Sequence, residues 1–362
     1  MVVKFGIIGA GGIAQGSCRE IAAHPEAEII SICDSNQARL ESLAHAHGVT
    51  RLHQDSKSLL ADDDIDAVYI ALPNAFHAPL AEAAMDAGKH VILEKPFALN
   101  LREANAVGDA IKRSGKLFML GMNQRFVPGA QKIKSMVAAG ALGDIYHARA
   151  HSIRRRGVPT WGVFTDKSKQ GGGPLIDIGT HSLDLALWYM GNYDVASVVG
   201  TVFHKMGDKP AGNIGGPWDT SNFEVEDSAF GYVTMKNGAS IFLEASWALN
   251  VKKAREACVT LVGTEGGAES DSEDGTFSAT LTSVAGDELI TSIPDFGGAY
   301  FGASHGRGNT FAVLGALEAQ QWIRAIKDDT DPLVTPEQAC VVTEILDAIY
   351  RSAASGEPVY FE

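Results

Sequence analysis

Val2-Val3-Lys4-Phe5-Gly6-Ile7-Ile8-Gly9-Ala10-Gly11-Gly12-Ile13-Ala14 decides the reading of the fold. A mostly apolar run of strand length breaks into G-x-G-x-x-A, and a helical segment follows to about His24-Pro25. Such a run suits a central parallel strand covered on both faces. A second apolar strand, Ala27 to Cys33, ends on Asp34, which lies 20 residues after Ala14, the spacing of a ribose-binding acid. Gly9 permits the tight turn, and Gly11 and Gly12 let backbone amides approach a pyrophosphate. Ile13 follows on the cofactor side, and the small Ala14 lets the helix pack close to the strand while its N-terminus faces the phosphates. Asp34 would accept hydrogen bonds from the adenosine ribose and repel a 2′-phosphate, which favours NAD; Arg39, five residues on, leaves NADP open.

Moving outward, strand and helix keep alternating. Ser35 is placed to cap a helix through His47, with Gly48 as its stop. Asp66 to Leu72 reads as a buried strand followed by Asn74 and His77, and His90 to Leu93 as another running into Glu94-Lys95-Pro96. A helix over Leu101 to Ser114 precedes a further strand, Lys116 to Leu120. This repetition predicts a doubly wound parallel sheet, with ligands beyond the carboxyl ends of its strands. Leu72, Asn74, His77, Glu94 and Lys95 fall there and are expected at the cofactor. Lys95 reads either as a group polarising a substrate hydroxyl or as a surface partner of Glu94.

Near Asn123-Gln124-Arg125 the alternation stops, dividing the chain into residues 1–122 and 123–362. A helix to about Ala139 and a strand ending near Arg154 lead into a polar loop carrying Arg155, Arg156 and Trp161. Trp161 is suited to stack on a sugar ring. Asn123, Arg125 and Arg154 join it as expected substrate contacts, although salt bridges on the rim or at a subunit contact explain Arg154, Arg155 and Arg156 at least equally well. Gly171-Gly172-Gly173 then runs into Asp177, His181 and Asp184, with Gly191 as the stop of an apolar helix. Residues four apart share a helix face, so Asp177 and His181 form a candidate acid–base pair. Beyond it, long strands without intervening helices, including a hairpin turning at Asn237-Gly238, predict an antiparallel sheet. Two closing helices follow, about Thr310–Lys327 and Pro336–Ser352, the second with Thr335 and Gln338 as a capping box. Phe311, Leu314, Leu317 and Ile323 recur at near-helical spacing as core positions.

Composition narrows the partners. The chain of 362 residues carries a net charge of −14, which disfavours nucleic acid. No apolar run reaches transmembrane length and no targeting segment stands out, so a cytoplasmic protein is expected. Cys18, Cys33, Cys258 and Cys340 lie far apart without metal-binding spacing, the pattern of reduced thiols and no metal site.

Gly9 to Ala14, Glu94-Lys95-Pro96, Gly171 to Asp184, Val225-Glu226-Asp227 and the closing helices together resemble the glucose–fructose oxidoreductase/inositol dehydrogenase family of NAD(P)-dependent sugar and cyclitol dehydrogenases. The resemblance implies an α/β chain: an N-terminal Rossmann domain, then an α+β domain with a large open, mainly antiparallel sheet used for homodimer or homotetramer contacts. It implies a catalytic set of Lys95, Asp177 and His181. The expected reaction oxidises a secondary hydroxyl of a sugar or cyclitol, with His181 as base, Asp177 orienting it and Lys95 stabilising the alkoxide. Two other readings stay open: an NAD-dependent glycosidase using transient oxidation, and a non-catalytic dinucleotide sensor.

Overall fold

The computed structural model describes residues 2–273, 276–294 and 306–362. Its chain divides into two compact units, Met1–Asn123 with Gly308–Thr343, and Gln124–Arg307 with Glu344–Glu362.

In the first unit, six parallel strands lie in the order β3-β2-β1-β4-β5-β6: β1 (Val3–Ile8), β2 (Ala27–Cys33), β3 (Arg51–His53), β4 (Ala67–Ile70), β5 (His90–Glu94) and β6 (Phe118–Gly121). This is the doubly wound arrangement the alternation predicts. The central strand β4 is buried along its whole length, as helices on both faces require. Helices α1 (Gly12–Ala23), α2 (Gln37–His47), α3 (Ser56–Leu60), α4 (His77–Asp86) and α5 (Leu101–Ser114) connect the strands. Helix α5 starts where Asn100 accepts from the Glu103 amide and stops at left-handed Gly115. The cap of α2 is Asn36, whose side chain accepts from the Arg39 amide, rather than Ser35.

The division at 122/123 is therefore incomplete, because the first unit takes back a later piece of chain. On α9 (Gly306–Asp328), Ala319, Trp322, Ile323 and Ile326 pack into the core formed by Val3, Phe5, Ile7 and Tyr69. Leu314 and Ile323 are buried as expected, but Leu317 is 38% exposed, and the side chain of Phe311 lies outside the described residues. Apolar surface left on this face of the parallel sheet is what draws α9 in.

The second unit holds a nine-stranded sheet in the order β14-β13-β12-β11-β7-β10-β9-β8-β15. Its strands are β7 (Ile145–Ile153), β8 (Val195–Phe203), β9 (Ser228–Met235), β10 (Ser240–Ser246), β11 (Arg255–Gly263), β12 (Gly266–Glu273), β13 (Thr276–Ala285), β14 (Glu288–Ser292) and β15 (Val359–Tyr360). All pairings are antiparallel except β7 with β10. Helices α6 (Pro128–Ala138), α7 (Lys167–Gln170), α8 (Thr180–Met190) and the second half of α10 (Pro336–Ser355) complete the unit. Gly200 and Gly231 face α10 so closely that a Cβ on either would lie 2.7 or 2.5 Å from Ile349. The opposite face of the sheet is open: Val199, Phe203 and Tyr232 are exposed there.

Candidate active site

The nucleotide half is built at the carboxyl ends of β1, β2, β4 and β5. Gly9 has φ +103°, and a Cβ there would lie 2.2 Å from the Ala71 carbonyl, so only glycine makes the turn. A Cβ on Gly11 or Gly12 would meet nothing, so the space over the start of α1 is open. The first turn of α1 holds no acid and its cap residue makes no side-chain bond, leaving the amide end of the helix to an anion. Ile13 is 64% exposed at the same place. Asp34 is buried and ties the two turns together: Oδ2 accepts from the Ala10 amide at 2.8 Å and Oδ1 from the Asn36 amide at 2.7 Å. Arg39 Nη2 stands 3.6 Å from Oδ1. Each carboxylate oxygen keeps a further lone pair for a ribose hydroxyl. These residues fit a dinucleotide: an open amide cradle for a pyrophosphate and an acid for the ribose.

Leu72 lies against the Gly9 turn, and Asn74 starts a short 3₁₀ turn after β4. His77, expected at the cofactor, is fully buried instead, its ring nitrogens 2.8 Å from the carbonyl oxygens of Leu72 and Pro96. It braces the loop after β4 against the turn after β5, and burial pushes its pKa down. The Lys95–Pro96 bond in that turn is cis. Glu94 is half-buried at the end of β5: Tyr69 donates to its Oε1 at 2.6 Å, and desolvation pushes its carboxyl above the usual range. Glu318 of α9 is buried and likewise raised, by burial and by the charge of Glu94. Lys95 and Asn123 are half-buried.

In the second unit, the glycine run is a packing device. A Cβ on Gly172 would lie 2.0 Å from the Tyr350 hydroxyl, and one on Gly173 would lie 2.2 Å from the Glu226 carbonyl. Glu226 is buried and holds the segment from below. Its Oε2 accepts from the Gly173 amide at 2.9 Å, and its Oε1 from the Leu175 amide at 3.2 Å and from the Tyr350 hydroxyl at 2.9 Å. The chain above it, Leu175–Gly179, is a π-helical turn, and Asp177 sits on it. Such turns are often found at functional sites. Helix α8 starts at once, with half-buried His181 as its second residue. Ser152 on β7 anchors the junction by donating to the Ile178 carbonyl at 2.7 Å.

Asp177 Oδ2 accepts from the indole N–H of fully buried Trp247 at 3.0 Å and lies 4.0 Å from Arg154 Nη1. Arg154 is itself clamped. Nε and Nη2 donate to the two Glu256 oxygens at 2.7 and 2.6 Å, and Nη1 donates to the Gly157 carbonyl at 3.1 Å. Glu256 precedes Ala257, whose φ of +54° marks a bulge in β11 between Arg255 and Cys258. Trp161 is 64% exposed and reaches this group through Phe164, with ring centroids 6.1 Å apart and then 6.4 Å from Phe164 to Trp247.

Arg125 departs from its expected role at the substrate. It is 0% exposed, with Nε and Nη2 donating to the two oxygens of Asp184 at 2.8 and 2.7 Å. Its guanidinium lies 5.3 Å from the Trp188 ring centroid. This pairing gives Asp184 a structural role, since a buried carboxylate on α8 needs a cation beside it. Trp247, Glu256, Tyr350 and Tyr69 escaped the sequence reading. Among the described residues, no cluster of three metal-ligating side chains occurs, and concavities of about 630 and 360 Å³ along the 204–227 loop include none of the expected site residues.

Comparison with known proteins gives two family models. Residues 3–122 match "Oxidoreductase family, NAD-binding Rossmann fold", and residues 130–269 match "GFO/IDH/MocA C-terminal domain". The chain is 32% identical to the D-glucoside 3-dehydrogenase of Escherichia coli over 99% of its own length and 97% of that protein's. It is 25% identical to the scyllo-inositol 2-dehydrogenase (NAD(+)) of Bacillus subtilis, covering 99% of this chain and 96% of the other. Among solved structures, levoglucosan dehydrogenase in complex with NADH and levoglucosan superposes with a TM-score of 0.84 at 25% identity, covering 99% of each chain.

Proposed function

The chain belongs to the GFO/IDH/MocA family of oxidoreductases, and from that premise we propose that it oxidises a ring secondary hydroxyl of a sugar, glycoside or cyclitol to the ketone. NAD, when bound, supplies the hydride acceptor. The observation that carries the reading is the fixing of Asp177. An indole N–H and a clamped guanidinium hold this carboxylate on a π-helical turn four residues before His181 in the sequence.

In this reading His181 takes the hydroxyl proton, because imidazole titrates near working pH. Asp177 orients His181 and stabilises it as the proton arrives. Lys95 places positive charge on the developing alkoxide. Asn123 contacts the substrate, and Arg154 contributes by fixing Asp177 rather than by touching the sugar. Asp34 favours NAD, and Arg39 beside it supports tolerance of NADP. A homodimer or homotetramer is part of the proposal, supported by Val199 and Tyr232, 46% and 47% exposed on the open sheet face. A cytoplasmic location is also part of it, supported by four free cysteines. No helix among the described residues is long and apolar enough to cross a membrane.

The test is to replace Lys95 by Met and His181 by Gln and follow NADH formation and NADH binding in parallel. Turnover is expected to fall by about 10²- to 10⁴-fold in each variant while NADH affinity changes little. Near-normal turnover in both contradicts the assignment.

A further inference from the structure

Trp161 is the largest apolar side chain that the second unit leaves mostly to solvent, at 64% exposure, yet its loop is pinned from several sides. Asn213 clasps Val158, accepting from its amide and donating to its carbonyl at 3.0 Å each. Thr160 Oγ1 donates to the Gly215 carbonyl at 3.1 Å, and the Gly157 amide to the Trp247 carbonyl at 2.8 Å. That last bond fixes the loop directly to the residue that holds Asp177. An indole kept in water on a rigid loop costs hydrophobic free energy in the free protein, and that cost is recovered when a ring covers it.

The aromatic relay shows what kind of ring. Trp247 is the aromatic at the carboxylate, donating to Asp177 at 3.0 Å. Phe164 stands edge-on to it at an interplanar angle of 79°, and Trp161 edge-on to Phe164 at 74°. Trp161 is thus two aromatic steps from Asp177.

We propose that Trp161 is the platform of a second-ring subsite, so that the preferred substrate is a glycoside whose aglycone is another sugar ring. This rests on the sugar-dehydrogenase reading above. A pyranose suits the site because its C–H face stacks on an indole while its rim hydroxyls stay in water. Free monosaccharides and cyclitols reach Asp177 without using Trp161.

The test uses the full-length enzyme with NAD, comparing Trp161→Ala and Trp161→Phe with the unaltered protein on methyl glucoside and on a panel of glucosyl-glucose disaccharides. The ratio of kcat/KM for the best disaccharide to that for methyl glucoside is expected to fall about tenfold or more in Trp161→Ala and to recover largely in Trp161→Phe. An unchanged ratio overturns the subsite, whether or not both activities fall together. A change in sedimentation in Trp161→Ala with the ratio intact overturns it in favour of a subunit contact. Absence of NADH formation by the unaltered enzyme with every sugar overturns the dehydrogenase reading itself, and the subsite with it.

Discussion

Arg154 shows how much of the site depends on a residue that touches nothing reactive. Its guanidinium spends three hydrogen bonds on Glu256 and Gly157, so its position beside Asp177 is set by the backbone of β11. The left-handed φ of Ala257 costs roughly 1–2 kcal/mol, a local strain beside the carboxylate that makes the clamp. Replacing Glu256 by Ala leaves Arg154 held by the Gly157 carbonyl. The expected outcome is a drop in kcat/KM for sugar of about tenfold with NADH affinity unchanged, read by steady-state kinetics and direct binding. An unaffected kcat/KM contradicts a positioning role for this clamp. Sequence could place Arg154 at a strand end but not pair it with Glu256, because their meeting depends on the β7–β11 register and on a bulge. The same holds for Arg125. Its charge is visible in the sequence, but its burial against Asp184 comes from packing between residues 59 positions apart.

At the scale of elements, local signals were legible and changes of helical register were not. Helix α5 carries its own Asn100 cap, Glu103 and Gly115 stop, and it spans the predicted residues. Strand β3 has three residues with no apolar run, so nothing local announces it. The Gly171–Asp184 segment divides both ways. Its glycines and acid–base pair stand out in the sequence, whereas the π-helical turn and the contacts of Tyr350 and Glu226 at its start do not, since both partners are remote in the chain. Helix α9 contributes a property that no local pattern shows, the burial of Glu318 near Glu94. Its folded pKa is raised, so the stability it contributes is full below the ordinary carboxylate range. That stability is lost as pH climbs from there towards the raised value. Thermal denaturation from about pH 5 to about pH 8 is therefore expected to show a falling midpoint, and Glu318→Gln, which cannot ionise, to flatten the fall. A variant that keeps the full slope contradicts the assignment of that slope to Glu318.

For the whole molecule, the sequence conveyed the class of both units and the order of their motifs, because G-x-G-x-x-A with Asp34 and the later run of strands are local patterns. It did not convey that the chain returns to its first unit through Gly308–Thr343. That return is set by Trp322 and Ile323 filling a core made of residues some three hundred positions earlier. Net oxidation, rather than transient oxidation in the service of bond cleavage, is the reaction proposed for these parts. The most direct measurement follows NADH and sugar products together in one reaction, using a glycoside deuterated at the carbon to be oxidised. Equal amounts of NADH and intact keto-glycoside are expected, with a slower rate for the deuterated compound. Release of free sugar from the glycoside without accumulation of NADH would contradict net oxidation.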